Sequence, residues 1–474
     1  MNILYAASEA LPFAASGGLA DVVGSLPAAL VKAGHDVRVV LPLYKDIKQE
    51  LRDSLRFIRN FQVSVGWRQQ YCGVFEGKAG SVTYYLIDNE YYFGRDGLYG
   101  FYDDCERFAF FARAILDMVA AEEDWTPQII HCNDWQTGLT PVYLQIFYKH
   151  LPKFERMKTV FTIHNIQYQG KYGREVINDV LGIPLYYGSI LEYDGCVNMM
   201  SAAFETSDKI TTVSPTYARE ILDPWFSHGL DRCLNSKQYK LTGFLNGIDT
   251  DLYNPETDTA IAKNFSASDL SGKAECKKAL LSELKLRGDG SPLIGIVTRF
   301  VSHKGIDLIR NVFEEMVEMG YSFAILGSGD KMYEDFFREM AYRFPEKVSV
   351  TIGFIPSLSR RVYSACDMFL MPSQSEPCGL AQMISLRYGT IPIVRETGGL
   401  RDSVTDAGDF EHGGNGFTFK TYNAHDMLDA VRRAKALYDD KENWKKLQLF
   451  AMSCDCSWAK SAELYLGLYR ELVG

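Results

Sequence analysis

The amino-acid sequence predicts an α/β protein made of two doubly wound domains, each with a parallel sheet. Short apolar runs alternate with helical stretches, and this alternation occurs twice along the chain. The chain has 474 residues, which at about 150 residues per domain gives roughly two to three domains and leaves room for two large ones. A composition of 47% hydrophobic and 23% charged residues is that of a packed globular protein.

The first domain begins with a strand–helix–strand unit. An apolar run at 2–6 leads into a small-residue loop that extends to Gly18. A helix-periodic segment at 20–33 and a second apolar run at 36–41 follow, a spacing typical of neighbouring parallel strands. The series continues with strand candidates at 82–87, 128–131 and 159–163 and a helical stretch at 104–118.

A second series of alternating elements begins after the glycine-rich turn at 288–290. We expect strands at 293–298, 322–326, 348–352, 368–371 and 391–394, and helices at 305–319, 331–344, 357–365, 380–388 and 400–406. The turn-rich stretch LNGIDTDLYN marks the join between the two series. We therefore predict a first domain at 1–245, a second domain at 246–455, and a C-terminal segment at 456–474 that forms an amphipathic helix.

The charge balance and the cysteine pattern exclude several classes of protein. Lys and Arg number 50 against 60 Asp and Glu, and the net charge of -10 argues against a general nucleic-acid binder. No apolar run reaches about 18 residues and no signal-peptide pattern opens the sequence, so we expect neither a membrane span nor export. The ten cysteines form no CxxC pair, which favours reduced thiols in a cytoplasmic protein and no metal site.

The common nucleotide-binding and hydrolase motifs are absent from the sequence. No GxGxxG follows a predicted strand, and there is no GxxxxGKS/T, GxSxG or HExxH. Three glycine-containing loops nevertheless follow predicted strands, at 16–18, 327–329 and 397–400. Each could present backbone N–H groups to an anion, and each is equally typical of a plain turn. A nucleotide site without the usual motifs, in two α/β domains, favours a sugar-nucleotide transferase.

Charged residues follow two predicted strands of the second domain. Arg299 and Lys304 lie between a strand and a helix start, where two cations could clamp a diphosphate, although a solvated charged loop is the alternative. Glu376 lies on a turn after another strand, where its carboxylate could accept hydrogen bonds from sugar hydroxyls. The backbone N–H groups of Gly379 and Leu380 would then face phosphate.

Two polar residues hold comparable positions in the first domain. His164 follows the strand candidate at 159–163, and Asp134 follows the one at 128–131. A lone histidine or aspartate is more often structural than functional. In open α/β sheets, however, ligands bind beyond the carboxyl ends of the strands, and both residues lie there.

Several stretches of the sequence together carry a specific resemblance. They include SEALPFAASGGLADVVGSLPAAL, HCNDWQTGL, FTIHNIQYQG, LNGIDTDLYNPETD, TRFVSHKGIDL, MPSQSEPCGL, SLRYGTIPIVRETGGLRD and SWAKSAELYLGLYREL. In these stretches, which run from end to end in family order, the chain resembles bacterial glycogen synthases of the ADP-glucose-using type and the related plant starch synthases.

The resemblance implies the GT-B fold, in which two Rossmann-like domains face each other across a cleft. The first domain would mainly hold the glucan, the second would mainly hold the nucleotide sugar, and the C-terminal helix would return to the first domain. The implied reaction transfers glucose from ADP-glucose to the non-reducing 4-hydroxyl of glycogen or another α-1,4-glucan. The anomeric configuration is retained, and no metal or other cofactor takes part.

The resemblance also implies roles for five residues in catalysis. Arg299 and Lys304 would bind the diphosphate and neutralise its charge. Glu376 would hold the donor glucose. His164 would meet the donor sugar and stabilise charge in the transition state, and Asp134 would lie near the reacting sugar.

Substrate-binding positions follow from the same resemblance. Phe354 would lie against the adenine, Asn246 would border the cleft, and Asp21 would lie in the donor loop of the first domain. A further set of residues would bind the donor through backbone N–H groups or through side chains beside them. These residues are Gly18, Cys378, Gly379, Leu380, Thr397, Gly398 and Gly399.

One departure from the family pattern keeps two alternatives open. Ala15 stands where the family loop usually has a lysine. The alternatives are a related retaining glucosyltransferase with another donor or acceptor, and a weakly active paralogue that binds glucan. Neither involves nucleic acid or a membrane.

Overall fold

A computed structural model describes residues 1–408 and 413–474 of the chain. The described residues form two compact units. Unit 1 comprises Met1–Asn246 and Trp458–Gly474, and unit 2 comprises Gly247–Ser457. The C-terminal segment is therefore part of unit 1.

The strands of unit 1 form one large sheet and one small sheet. They are β1 (Asn2–Ala6), β2 (Asp36–Pro42), β3 (Arg56–Val65), β4 (Arg68–Ala79), β5 (Val82–Asp88), β6 (Ile129–Asn133), β7 (Lys158–Ile163), β8 (Lys171–Tyr172), β9 (Glu192–Tyr193), β10 (Cys196–Asn198), β11 (Lys209–Thr212) and β12 (Leu241–Gly243). The large sheet has the order β12-β11-β7-β6-β1-β2-β5-β4-β3, and only its β5-β4-β3 edge is antiparallel. The small antiparallel sheet has the order β8-β10-β9.

The strands of unit 2 form a sheet that is parallel throughout. They are β13 (Leu293–Val297), β14 (Ser322–Gly327), β15 (Val348–Ile352), β16 (Met368–Met371), β17 (Ile391–Arg395) and β18 (Phe417–Phe419). Their order is β15-β14-β13-β16-β17-β18, which is the doubly wound order of a Rossmann-like domain. The two parallel α/β sheets confirm the predicted fold class.

Helices cover the faces of both sheets. In unit 1 they are α1 (Gly18–Lys32), α2 (Gln49–Asp53), α3 (Glu90–Phe93), α4 (Asp104–Ala121), α5 (Leu139–Tyr143), α6 (Val176–Asp179), α7 (Gly188–Leu191), α8 (Met199–Thr206), α9 (Pro215–Glu220) and α10 (Asp231–Ser236). In unit 2 they are α11 (Ser271–Glu283), α12 (Ile306–Glu318), α13 (Lys331–Arg343), α14 (Pro356–Ala365), α15 (Ala381–Arg387), α16 (Gly398–Ser403), α17 (Ala424–Asp439) and α18 (Lys441–Ser453). Within the described ranges, no helix is long and apolar enough to cross a membrane.

The sequence analysis missed the hairpin of β3 and β4 and placed the start of α16 too late in the chain. The two strands pair over nine positions at the edge of the sheet, and most β3 side chains are at least partly exposed. Charged and amide residues therefore interrupt the apolar runs that mark buried strands. The helix expected at 400–406 spans Gly398–Ser403 instead, because Thr397 has extended backbone angles and the helix starts directly after it.

Both sheets contain a point where the order of the parallel strands reverses. In unit 1 this point lies between β1 and β6, and in unit 2 it lies between β13 and β16. The loops that leave two such strands turn to opposite faces of the sheet, and this leaves a crevice at their carboxyl ends. The fold therefore predicts a ligand site after each of these four strands.

The last helix, α19 (Trp458–Val473), is tied into the core of unit 1 by buried hydrogen bonds. The hydroxyl of Tyr469 lies 2.6 Å from Nδ1 of His131 and 3.0 Å from the hydroxyl of Tyr5. Burial lowers the pKa of His131 well below its usual value, so the imidazole is neutral. Nε2 of His131, on β6, forms a hydrogen bond with the hydroxyl of Thr162, on β7. Both strands therefore belong to the same network.

We expect Tyr469→Phe to destabilise the protein, because it leaves buried polar atoms of His131 and Tyr5 without their partner. The loss should be about 1–3 kcal/mol, seen as a lower apparent Tm. Tyr342→Phe is the matched control, since Tyr342 is 87% exposed. Equal melting temperatures for the two variants would show that the network does not stabilise unit 1.

Candidate active site

The loops that follow β13 and β16 bring two of the predicted residues together. Nζ of Lys304 lies 2.9 Å from Oε1 and 2.6 Å from Oε2 of Glu376. The two side chains are only 17% and 9% exposed. The sequence-based interpretation assigned the lysine to phosphate and the carboxylate to sugar, and in this structure the two charges neutralise each other.

A glycine makes this close approach of the two loops possible. Gly305 follows the short 3₁₀ helix Ser302–Lys304 and has a φ of +76°. A Cβ atom at this position would lie 2.1 Å from the carbonyl oxygen of Pro372. Any larger residue would therefore push apart the segments that carry Lys304 and Glu376.

Glu376 also receives a hydrogen bond from its own loop. The hydroxyl of Ser373 donates to Oε2 of Glu376 over 3.0 Å. An ionised carboxylate accepts about four hydrogen bonds, so Lys304 and Ser373 do not exhaust its capacity. The remaining lone pairs are available to the hydroxyl of a ligand.

Arg299 differs from Lys304 in its surroundings. Its side chain is exposed, and it has no hydrogen bond or ion pair with any residue in the described part of the chain. The two side chains predicted to bind phosphate therefore differ in this structure. The guanidinium of Arg299 is unpaired, whereas the ammonium of Lys304 is paired with a carboxylate.

The start of α16 packs against the segment that follows Glu376. The N–H of Gly399 donates to the carbonyls of Glu376 and Pro377 over 3.1 and 3.2 Å. Gly398 has a φ of +43°, and a Cβ there would lie 2.0 Å from the carbonyl oxygen of Glu376. The N–H of Gly399 therefore bonds within the protein in this structure, and the role of Gly399 in donor binding stays a prediction. Thr397, the residue before α16, is buried.

The residues before α15 are held by a buried glutamine that the sequence analysis missed. The Gln382 amide donates to the carbonyls of Cys378 and Gly379 over 3.1 and 2.9 Å. Gly379 has a φ of +71°, and its close approach to Gln382 leaves no space for a Cβ. Leu380 directly precedes α15, so its N–H lies at the start of a helix, as predicted.

Phe354 is an exposed aromatic residue at the end of β15. It is 70% exposed and follows Gly353, whose φ is +124°. Gly353 donates its N–H to the carbonyl of Gly327, 2.9 Å away, at the end of the neighbouring β14. This bond fixes the backbone beside an aromatic ring that stays open to solvent.

In unit 1, Asp134 adopts a strained backbone conformation next to His164. Its φ of +55° is uncommon for a residue other than glycine. Oδ1 of Asp134 accepts the N–H of His164 over 2.8 Å, which joins the ends of β6 and β7. Burial raises the pKa of Asp134 to about 7, although the N–H groups of His164 and Asn165 oppose the rise.

His164 is a neutral imidazole whose tautomer follows from its neighbours. Its Nε2 lies 2.9 Å from Oδ1 of Asn133. The Asn133 amide nitrogen already donates to the carbonyls of Ala6 and His131, so its oxygen is the acceptor and Nε2 of His164 carries the proton. Burial lowers the pKa of His164 to about 3. The side chain therefore cannot stabilise charge as a cation.

The glycine loop of unit 1 is occupied by a carboxylate of the chain itself. Glu9 is buried and accepts the N–H and hydroxyl of Ser16, the N–H of Gly17 and the hydroxyl of Tyr99. The anion that binds to this loop in the structure is therefore Glu9. The sequence signal for it was an acidic residue a few positions after β1.

Gly18 and Asp21 lie at the start of α1, next to this loop. A Cβ at Gly18 would meet no atom within 4 Å, so its surroundings are open. Burial and the negative charge of Glu9 raise the pKa of Asp21 to about 6. Ala15, in the same loop, is exposed.

Asn246, the last residue of the first segment of unit 1, has an unusual side chain. It is 5% exposed, and its buried Oδ1 has no hydrogen-bond partner among the described residues. A buried oxygen without a partner costs about 1–3 kcal/mol. Water, an ion or a ligand can supply the partner of such an atom.

The predicted residues thus form two groups, each at the carboxyl edge of one sheet. The group in unit 2 is Arg299, Lys304, Phe354, Glu376, Cys378, Gly379, Leu380, Thr397, Gly398 and Gly399. The group in unit 1 is Gly18, Asp21, Asp134, His164 and Asn246.

Two family models match the chain, and together they span most of it. Residues 2–236 match the starch synthase catalytic domain. Residues 281–447 match the glycosyl transferases group 1 model.

Curated relatives match the whole chain. A glycogen synthase of Clostridium beijerinckii is 49% identical over 478 residues, covering 100% of both chains. A glycogen synthase of Bacillus cereus is 49% identical over 476 residues with the same coverage. The chain belongs to the glycogen and starch synthase family.

Solved structures agree with this membership of the synthase family. The catalytic domain of starch synthase IV from Arabidopsis thaliana, bound to ADP and acarbose, has a TM-score of 0.92 and 35% identity and covers 99% of each chain. Sucrose-phosphate synthase from Thermosynechococcus elongatus has a TM-score of 0.62 at 16% identity and shares the fold alone. The fold of this synthase is therefore GT-B.

We expect Asp134 to make the stability of the protein depend on pH. The folded-state pKa of about 7 lies above the ordinary value of 3.8, so the folded state retains a proton that the unfolded chain has lost. Stability should then fall as pH rises from about 4 to 7, by up to about 4 kcal/mol. The apparent Tm of Asp134→Asn should depend less on pH over this range than that of the wild type.

The control for this measurement is Asp124→Asn, at an exposed position in unit 1. It should keep the wild-type dependence of Tm on pH. If both variants give the same slope, Asp134 does not hold a proton in the folded state.

Proposed function

We propose that the chain transfers glucose from ADP-glucose to the non-reducing 4-hydroxyl of an α-1,4-glucan and retains the anomeric configuration. Membership of the synthase family makes it a glucosyltransferase of glycogen synthesis. The observation that carries the residue-level proposal is the contact between Lys304 and Glu376 at the strand-order reversal of unit 2. A cation for phosphate and a carboxylate for sugar are adjacent there.

In this proposal Glu376 binds the transferred glucose. Its carboxylate is buried and held by Lys304 and Ser373, and it retains acceptor capacity. Sugar hydroxyls are donors of the kind that such a carboxylate binds strongly, because one partner of the hydrogen bond is charged. Lys304 would lie between the sugar-binding carboxylate and the diphosphate.

Arg299 and Lys304 would stabilise the leaving ADP. Negative charge collects on the diphosphate as the bond to the sugar breaks, and cations already in place lower the free energy of that state. The guanidinium of Arg299 is free to bind phosphate, since it has no partner among the described residues. We propose that these two cations suffice and that no metal ion is needed.

The neutral state of His164 fits the opposite charge that develops on the sugar. Breaking the glycosidic bond leaves positive charge on the ring, which an imidazolium would repel. A neutral imidazole and the backbone carbonyl of His164 would instead stabilise this charge. Asp134, whose pKa lies near neutrality, would contact the reacting sugar.

Two further residues are proposed to recognise the nucleotide sugar. The exposed ring of Phe354 offers a flat apolar surface on which adenine could stack. The Arabidopsis relative is bound to ADP, which supports an adenine nucleotide as the ligand. The unpaired Oδ1 of Asn246 would accept a hydrogen bond from the donor. Unit 1 would otherwise bind the glucan. The ten cysteines of the whole chain, all of them in the described ranges, form no disulfide, which fits an enzyme that works in the reducing cytoplasm.

Incorporation of radiolabelled glucose into glycogen tests the proposal. ADP-glucose and UDP-glucose are offered separately and in competition to the full chain. We expect transfer from ADP-glucose to dominate. Preferential transfer from UDP-glucose would favour a related glucosyltransferase, and binding to glycogen without transfer from either donor would indicate an inactive paralogue.

We expect Glu376→Gln to abolish most of the transfer. The amide keeps the size of the side chain but loses the charge, and hydrogen bonds to charged groups contribute about 1.5–3 kcal/mol each against about 0.5–1.5 kcal/mol for neutral ones. The corresponding loss in kcat/KM for ADP-glucose is about tenfold to a hundredfold. Circular dichroism checks that the variant is folded, and a folded variant with wild-type kcat/KM would contradict the assigned role.

Arg299→Gln should lower kcat/KM for ADP-glucose without changing the apparent Tm. The guanidinium is exposed and has no partner among the described residues, so its loss should leave the fold intact. Arg338→Gln is the matched control, because Arg338 is exposed and forms only surface ion pairs on α13. Equal activity of the two variants would favour a solvated loop at Arg299.

A further inference from the structure

Arg395, at the end of β17, holds the segment that carries Glu376. Its Nε donates to the carbonyl of Ser373 over 2.9 Å, and its Nη2 donates to the carbonyl of Gln374 over 2.5 Å. Its Nη1 donates to the carbonyl of Lys420 over 3.2 Å. One guanidinium therefore fixes two consecutive carbonyls in the loop after β16 and a third carbonyl beyond β18.

The same segment is fixed on its other side by the loop after β13. The N–H of Gln374 donates to the carbonyl of His303 over 2.8 Å, and His303 directly precedes Lys304. The hydroxyl of Ser373 donates to Glu376. Ser373 and Gln374 thus connect the guanidinium of Arg395 to both members of the Lys304–Glu376 ion pair.

Only an arginine can make this set of contacts. The guanidinium is planar and presents several N–H donors in a fixed fork, which matches acceptors placed side by side. A lysine ammonium is a compact charge on a flexible stem, and it does not fix two carbonyls in a defined plane. The position of Glu376 relative to Lys304 therefore depends on the shape of the Arg395 side chain as well as on its charge.

We propose that Arg395 is a positioning residue for Glu376. Arg395 acts through the backbone of Ser373 and Gln374 and does not itself touch the substrate. This inference rests on the proposed function, in which Glu376 binds the donor glucose. Loss of the clamp would let the loop shift, and a displacement of about 1 Å at a reacting centre can cost about a hundredfold in rate.

The proposal makes a specific claim about two ligands. ADP lacks the glucose that Glu376 is proposed to hold, so its affinity should depend on Arg395 much less than the affinity of ADP-glucose does. When Arg395 is replaced, ADP-glucose should bind more weakly, because part of its affinity needs a correctly placed carboxylate. Its turnover should fall by more than its affinity. A merely structural role would affect both ligands alike.

The test compares the full-length wild type with Arg395→Lys and with the control Arg433→Lys. Arg433 forms a similar clamp in unit 2, on Asp406 and the carbonyl of Thr418, but no contact within residues 1–408 and 413–474 links it to Glu376. Titration calorimetry gives the Kd of ADP and of ADP-glucose, and steady-state assays with glycogen give kcat and KM.

For Arg395→Lys we expect a kcat lowered by about tenfold to a hundredfold, a weaker binding of ADP-glucose, and a much smaller change in the Kd for ADP. Arg433→Lys should keep the wild-type values. Ser373→Ala, which removes the hydroxyl donor to Glu376, should cost less on the Arg395→Lys background than on the wild type, because the two changes disturb the same carboxylate. If Arg395→Lys does not fold, Arg395→Gln, whose amide can donate to one carbonyl, replaces it.

Two results would overturn the positioning role while leaving the proposed function intact. One is a wild-type kcat in a folded Arg395 variant. The other is a loss of ADP affinity as large as the loss of ADP-glucose affinity, which would indicate that Arg395 binds phosphate directly. Failure of the wild type itself to transfer glucose from either donor would instead reject the proposed function.

Discussion

The reversal of strand order between β13 and β16 is the constraint on which the site in unit 2 depends. Parallel strands point their carboxyl ends to one edge, and the loops from these two strands turn to opposite faces. Polar side chains can then enter the crevice without disturbing the core beneath. Lys304 and Glu376 come from these two loops, and Gly305 allows the loops to approach. Unit 1 repeats the arrangement with β1 and β6, whose loops carry Glu9 and Asp134.

Two carboxylates at these edges, those of Glu376 and Glu9, already have partners within their own unit. Lys304 and Glu376 pair although both are largely buried, and a buried ion pair is seldom kept for stability, because desolvation offsets most of the attraction. In unit 1, the carboxylate of Glu9 accepts hydrogen bonds from the backbone N–H groups of Ser16 and Gly17 in its own loop. A donor that binds to these groups therefore exchanges existing contacts for new ones, whereas Arg299 and Oδ1 of Asn246 have no side-chain partner to give up among the described residues.

The sequence allowed the prediction of several polar residues that follow buried parallel strands, because apolar runs locate such strands and the fold places ligands at their ends. Lys304, Glu376, Asp134 and His164 belong to this class. The contacts between loops could not be predicted in this way. The bond from Gly399 to Glu376 and the support from Arg395 join different loops. The contacts of Glu9 with Ser16 and Gly17 depend on how one loop folds back on itself. Their geometry depends on three-dimensional packing, which local pattern does not encode, and the same is true of the protonation state of His164.

The placement of α19 in unit 1 has a consequence for biosynthesis. Unit 2 is in effect inserted into unit 1, so the ribosome releases the helix that bonds to His131 only after all of unit 2 has been made. Until then the nascent first unit has its central strands but lacks Tyr469, and polar atoms that are buried in the finished enzyme have no partner. Unit 2, which is continuous in the chain, can complete its sheet earlier. The segment synthesised first is therefore the one that matures last, and premature termination near the end of the message would leave it incomplete while sparing unit 2.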